Sequence, residues 1–156
     1  MPNDAQEFLN EIREIRYEIA SIRLHKEDAR MALMPSAVRY DKDKVQTTPD
    51  DPMLKFAVRM GELDDQERYC LDKLHSEFLK AEQMIEAMKT PKYRQILRLR
   101  YLNGGQRPMS WEDIAKETGF SETHLRGYMH GNALTEFRKI YEKAKRAYNK
   151  AKREAK

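Results

Sequence analysis

Ser110-Trp111-Glu112-Asp113-Ile114-Ala115-Lys116-Glu117-Thr118-Gly119-Phe120-Ser121-Glu122-Thr123-His124-Leu125-Arg126 decides how this chain is read. Ser110 precedes Asp113 by three residues, a capping-box-like start in which the hydroxyl accepts from a backbone amide of the first turn. Gly119 supplies the left-handed backbone that a tight turn needs, and Ser121 caps the helix beginning at Glu122. The prediction is two short helices sharing a small core of Ile114, Ala115, Leu125 and Tyr128 or Met129. Phe120 is expected to plug the angle between them. Ala115 is small where two helices cross closely.

In a helix-turn-helix the second helix lies in the major groove of DNA, and its first exposed side chains meet base edges. Here these are Glu122, Thr123 and Arg126. Arginine binds guanine bidentately, threonine contacts a thymine methyl or donates a hydrogen bond, and glutamate accepts from cytosine. The same pattern also occurs as an ordinary helical pair with a polar surface. Charge favours the first reading. Residues 1–89 carry 14 Lys and Arg against 19 Asp and Glu, whereas residues 90–156 carry 16 against 7, so a chain of net charge +4 concentrates its positive charge in one half. Such a half is where a polyanion binds.

Working outward, Thr90-Pro91 reads as a helix start, with a capping hydroxyl and proline at the first helical position. Tyr93, Ile96, Leu97, Tyr101 and Leu102 form the apolar face of that helix, which stops at Asn103-Gly104-Gly105, and Gln106 to Met109 form a loop. Downstream, Arg138 to Lys156 alternates Ala and Tyr with Lys and Arg, a basic helix whose Lys145 and Arg146 are expected to track phosphate.

The front of the chain has a different pattern. Phe8, Ile12, Ile15, Ile19 and Ile22 recur at alternating spacings of four and three, a heptad seam with Ala29 and Leu33 beyond it, interrupted by Lys26. Pro35, Pro49 and Pro52 break the helix. Periodicity resumes at Met53, Phe56, Met60 and Leu63 and continues through Cys70, Leu74, Phe78, Ala81, Ile85 and Met88, with Gly61 a local weak point. Two helices with one apolar stripe each are covered most simply by pairing antiparallel, and the seams also allow a homo-oligomer. The expected fold is therefore all-α: a long antiparallel, coiled-coil-like hairpin arm over 1–89 with its connector at 34–52, a helix-turn-helix domain over 90–141, and a basic helical tail over 142–156.

Other classes find little support. Cys70 is the only cysteine, so neither an intrachain disulfide nor a cysteine-based zinc site can form, which fits a reducing, cytoplasmic setting. His25, His75, His124 and His130 show no metal-ligand spacing, there is no glycine-rich phosphate loop, and no constellation suggests an enzyme; no metal or cofactor is expected. No stretch approaches the roughly 20 apolar residues that span a bilayer.

The run from Tyr93 to Gly104, followed by Ser110-Trp111-Glu112-Asp113-Ile114-Ala115, Gly119, Ser121 and Ala133-Leu134, resembles the fourth region of bacterial sigma factors, which recognises the −35 promoter element. The closer similarity is to phage-encoded, RinA-like transcriptional regulators, whose recognition helix runs into His-Gly-x-Ala-Leu, as His130-Gly131-Asn132-Ala133-Leu134 does here. Val45-Gln46-Thr47-Thr48-Pro49-Asp50-Asp51 also resembles members of that group. The resemblance implies that Ser121, Glu122, Thr123 and Arg126 face double-stranded DNA, that Ile114, Ala115 and Leu125 lie inside, and that host RNA polymerase is a partner. Three departures stand out: a Gly104–Ser110 loop lengthened by Gly105, Gln106, Arg107 and Pro108, one extra residue between Ser121 and His130, and Gly127, a weak helix former in the recognition helix. A small-terminase-like DNA-packaging protein is the alternative, and an adaptor that binds only protein is a third reading.

Overall fold

The computed structural model describes residues 4–33, 51–103 and 109–155. Most of the connector expected at 34–52, and the loop residues Gly104 to Pro108, lie outside the described residues. Among those described there is no strand, and the chain is all-α. The elements are α1 (Ala5–Leu33), α2 (Pro52–Glu86), α3 (Pro91–Leu97) leading into a π turn (Arg98–Leu102), α4 (Trp111–Thr118), α5 (Glu122–His124) with a second π turn (Leu125–Met129), and α6 (His130–Glu154). Gly61 lies within α2. None of the described helices is long and apolar enough to cross a membrane.

Two compact units emerge: one is Met1–Tyr17 with Lys73–Lys156, the other Glu18–Asp72. In the first unit the two ends of the chain share one core. Phe8, Leu9 and Ile12 of α1, Ala81, Ile85 and Met88 around the end of α2, and Leu97, Tyr101, Phe137 and Tyr141 are all buried in a single cluster. The Phe8 and Tyr141 rings lie 5.3 Å apart and those of Phe137 and Tyr141 6.2 Å apart. Burial pushes the Tyr141 hydroxyl up to about 12.

Polar fastenings surround this core. Arg16 donates to the Leu102 carbonyl at 3.0 Å, satisfying a group that the end of the π turn leaves open. Arg98 pairs with Glu82 at 2.6 Å and also with Glu86. Thr90 occupies the N-cap position of α3 with Pro91 behind it, but its hydroxyl makes no capping bond. The carboxylate of Glu136 accepts from the backbone amides of Lys89 and Thr90 at 2.5 and 3.1 Å instead. A carboxylate is a stronger acceptor than a hydroxyl, and here it ties α6 to the start of α3.

In the second unit, Ile19, Ile22, Leu63 and Cys70 are buried. Lys26, which interrupts the seam, is buried as well and pairs with Asp64 at 2.5 Å and with Glu67, while Arg23 reaches Glu67 at 2.6 Å. Residues later in α1 thus meet residues earlier in α2, an antiparallel register. Hydrogen bonds to Asp64 and Glu67 raise the Lys26 ammonium above its ordinary range, and the bond from Lys26 lowers the Glu67 carboxyl. Lys26 thus enters the seam with two carboxylates as partners, and removing them would leave a buried ammonium uncompensated, which is costly.

Candidate nucleic-acid interface

Backbone capping builds the two-helix unit. Ser110 Oγ accepts from the Asp113 amide at 3.1 Å and donates to the Asp113 carboxylate at 2.7 Å. Gly119 adopts φ 74°, and its amide bonds to the Ala115 carbonyl at 2.9 Å, closing α4. This φ lies in the left-handed region that a β-carbon disfavours, so glycine is required there. Ser121 Oγ then accepts from the His124 amide at 3.2 Å. The cap uses Ser121 Oγ only as an acceptor, so its exposed hydroxyl keeps a proton to donate.

Ile96, Ile114, Leu125 and Met129 form the small core of the unit, with Ala115 and Trp111 packed against it and only partly buried. Of the alternatives at the next turn, Met129 is inside and Tyr128 is 59% exposed. Phe120 does not plug the interhelical angle. It is 36% exposed, with its ring 6.2 Å from that of His124.

The second π turn contains both Leu125 and Met129, and both are buried. α5, the turn and α6 follow one another without a break from Glu122 to Glu154. A π turn is how a helix absorbs one extra residue while keeping its flanking faces in register. It falls between Ser121 and His130.

His130 follows directly and is drawn inside. Its Nε2 shares a 2.9 Å hydrogen bond with Tyr101 Oη, from the first π turn, and the edge of Trp111 packs on its ring at 4.8 Å. Arg100 lies over Trp111 at 4.6 Å and donates to the Met109 carbonyl at 2.8 Å. Burial, with Arg100 and Arg13 nearby, pushes the His130 imidazole down to about 4, so it is neutral at physiological pH. The residue is a structural joint between the two π turns, a role that its sequence neighbours did not disclose.

Glu122, Thr123 and Arg126 are exposed and, with Gly127, line one surface hollow of about 430 Å³. Arg126 Nη1 lies 3.3 Å from Glu122 Oε1. Both side chains of the pair are largely solvated, so the pairing is weak and open to exchange for another partner. Lys145 and Arg146 are not brought near this hollow; 20 residues of helix, about 30 Å, separate Arg126 from Arg146. Lys145 is half-buried. Arg146 instead lines a second hollow, of about 500 Å³, with Thr135, Arg138, Lys139, Glu142 and Lys143. The recurrence of Lys139, Lys143 and Arg146 at spacings of four and three was the sequence signal for that face.

Gly127 and Gly131 complete the surface. Both lie on the exposed side of the helix, neither has a positive φ, and a β-carbon at either would meet nothing within 4 Å. Glycine inside a helix costs about 1 kcal/mol relative to alanine, and no contact among the described residues explains that cost.

No protein-family model, no curated protein sequence and no solved structure matches this chain.

Proposed function

We propose that this chain is a sequence-specific DNA-binding transcription regulator of phage or prophage type, which binds a promoter and contacts host RNA polymerase to activate late genes. The observation that carries the reading is the capped pair α4 and α5, whose left-handed Gly119 turn leaves Glu122, Thr123 and Arg126 outward in one hollow, in the half of the chain that holds the excess positive charge. The likeness of the Tyr93–Leu134 stretch to the fourth region of sigma factors supports promoter DNA as the ligand and polymerase as the partner. Reading falls to Glu122, Thr123 and Arg126, and phosphate contact to the Arg138–Arg146 face.

Selection of bound fragments from phage and host DNA tests this. Enrichment of one sequence beside a late promoter supports it, and absence of any enriched sequence refutes it. A second reading, a small-terminase-like packaging protein, draws on Leu24, Met31, Leu54 and Val58, which leave apolar surface open for self-association in the Glu18–Asp72 unit. A ring of subunits in solution, together with enrichment at a packaging site, would favour it.

A further inference from the structure

The helix that starts at Glu122 offers solvent more than the Glu122–Arg126 edge. Along another side His124 stacks on Tyr128, with ring centroids 5.4 Å apart and planes inclined by 21°, and Phe120 extends the row at 6.2 Å from His124. All three are exposed. A ladder of rings held against one another outside the core is a surface prepared for contact. Thr123, Gly127 and Gly131 recur four apart and lie between this ladder and Arg126, opposite buried Leu125 and Met129. At the two glycines the fold itself sets no requirement, since a β-carbon would meet open space.

Charge identifies the occupant. The same helix carries Arg126 and continues into the hollow formed around Arg138, Lys139, Lys143 and Arg146, and a surface with that excess of cations fits a polyanion. Resting on the DNA-binding reading, we propose that His124 and Tyr128 form a second base-contacting edge beside Arg126, with the Tyr128 ring against a thymine methyl group. The bare backbone at Gly127 and Gly131 lets the helix sit deep enough in the major groove for both edges to reach base pairs. Apolar contact with the thymine methyl is an established way of reading that base. A side chain at 127 or 131 would stand between the helix backbone and the groove floor and hold both edges away.

The test uses the full chain and a duplex obtained by selection from a randomised library, with a base-permuted duplex as control. Gly127→Ala and Gly131→Ala are each expected to raise the melting temperature by roughly 2–4 °C while lowering affinity for the selected duplex about tenfold. That opposition of signs is one a merely structural role would not give. Thymine-to-uracil replacements in the selected duplex remove methyl groups singly. At least one is expected to weaken the wild-type protein about fourfold, the worth of one buried methyl, and to leave Tyr128→Ala unaffected. If Tyr128→Ala keeps wild-type sensitivity to every replacement, or if both alanine variants bind the selected duplex as tightly as wild type, the second edge is refuted and the DNA-binding reading stands. If the wild-type chain selects no sequence, both fall together.

Discussion

Phe8→Ala removes a ring that is 0% exposed and packs 5.3 Å from Tyr141, at the far end of the chain from the surface assigned to DNA. Loss of a fully buried phenylalanine costs about 3–5 kcal/mol, from the transfer of its atoms to water and from the cavity left behind. For a protein of this size each kcal/mol moves the melting temperature by roughly 2–4 °C, so a fall of about 6–20 °C is expected. Hydrogen exchange resolved along the chain should show the loss in α6 and α3 as well as at the start of α1, because Phe8 shares its cluster with Leu97, Leu134 and Phe137. By the same logic a fragment beginning at Thr90 lacks Phe8, Leu9, Ile12, Ala81 and Ile85 and should not fold, whatever its charge. A fall below about 1 kcal/mol, or a cooperative, fully folded 90–156 fragment, would refute the shared core.

Two further perturbations report on buried polar groups. The His130 imidazole is lowered by burial to about 4 in the folded chain and has its ordinary value near 6.5 when unfolded. Its contribution to stability is therefore complete above about pH 6.5 and is lost as pH falls toward 4. At about 1.4 kcal/mol per unit, discounted for partial solvent exposure, the loss is roughly 1–2 kcal/mol; His130→Gln should flatten that part of a pH–melting profile, and superimposable profiles would count against it. Lys26→Ala leaves Glu67 with Arg23 alone and should cost about 1–3 kcal/mol, read by exchange within residues 18–72. The depressed Glu67 carboxyl adds stability that is present above the ordinary carboxylate range and lost as pH falls through it, whereas the raised Lys26 ammonium loses its share only as pH rises through the lysine range. Equal exchange in the variant and wild type would remove Lys26 from that role.

Caps and periodicity made much of the fold legible. Ser110, Gly119 and Ser121 announce α4, its end and α5 because local backbone chemistry alone dictates them, and the seam from Phe8 to Ile22 gives α1. The shared core was less visible, although it left a trace. Ala5 and Leu9 widen the stripe around Phe8 and Ile12 beyond what a two-helix seam needs, and a wide stripe signals a globular core; both are buried. Thr90 shows the limit of local reading, since its capping partner, Glu136, is remote in sequence and brought near by tertiary packing. The π turns are harder still. Nothing in Leu125 to Met129 favours one intrinsically. Glu122, Thr123 and Arg126 were readable because exposure one, two and five residues beyond the Ser121 cap follows from helix geometry. Lys145 was not, because the face it occupies depends on how α6 packs along its whole length.

The most direct test of DNA reading by the Glu122-Thr123-Arg126 surface is the ratio of affinities for the selected and base-permuted duplexes, measured across a salt series for wild type, Arg126→Ala and the double variant Lys143→Gln/Arg146→Gln. Arg126→Ala should lower the ratio by about 1–3 kcal/mol, the worth of a bidentate base contact. The double variant should leave the ratio unchanged, weaken both duplexes alike, and reduce the logarithmic salt slope by about 0.9 for each phosphate it no longer neutralises. A wild-type ratio of one, or an Arg126→Ala variant that loses affinity equally for both duplexes, would contradict the account.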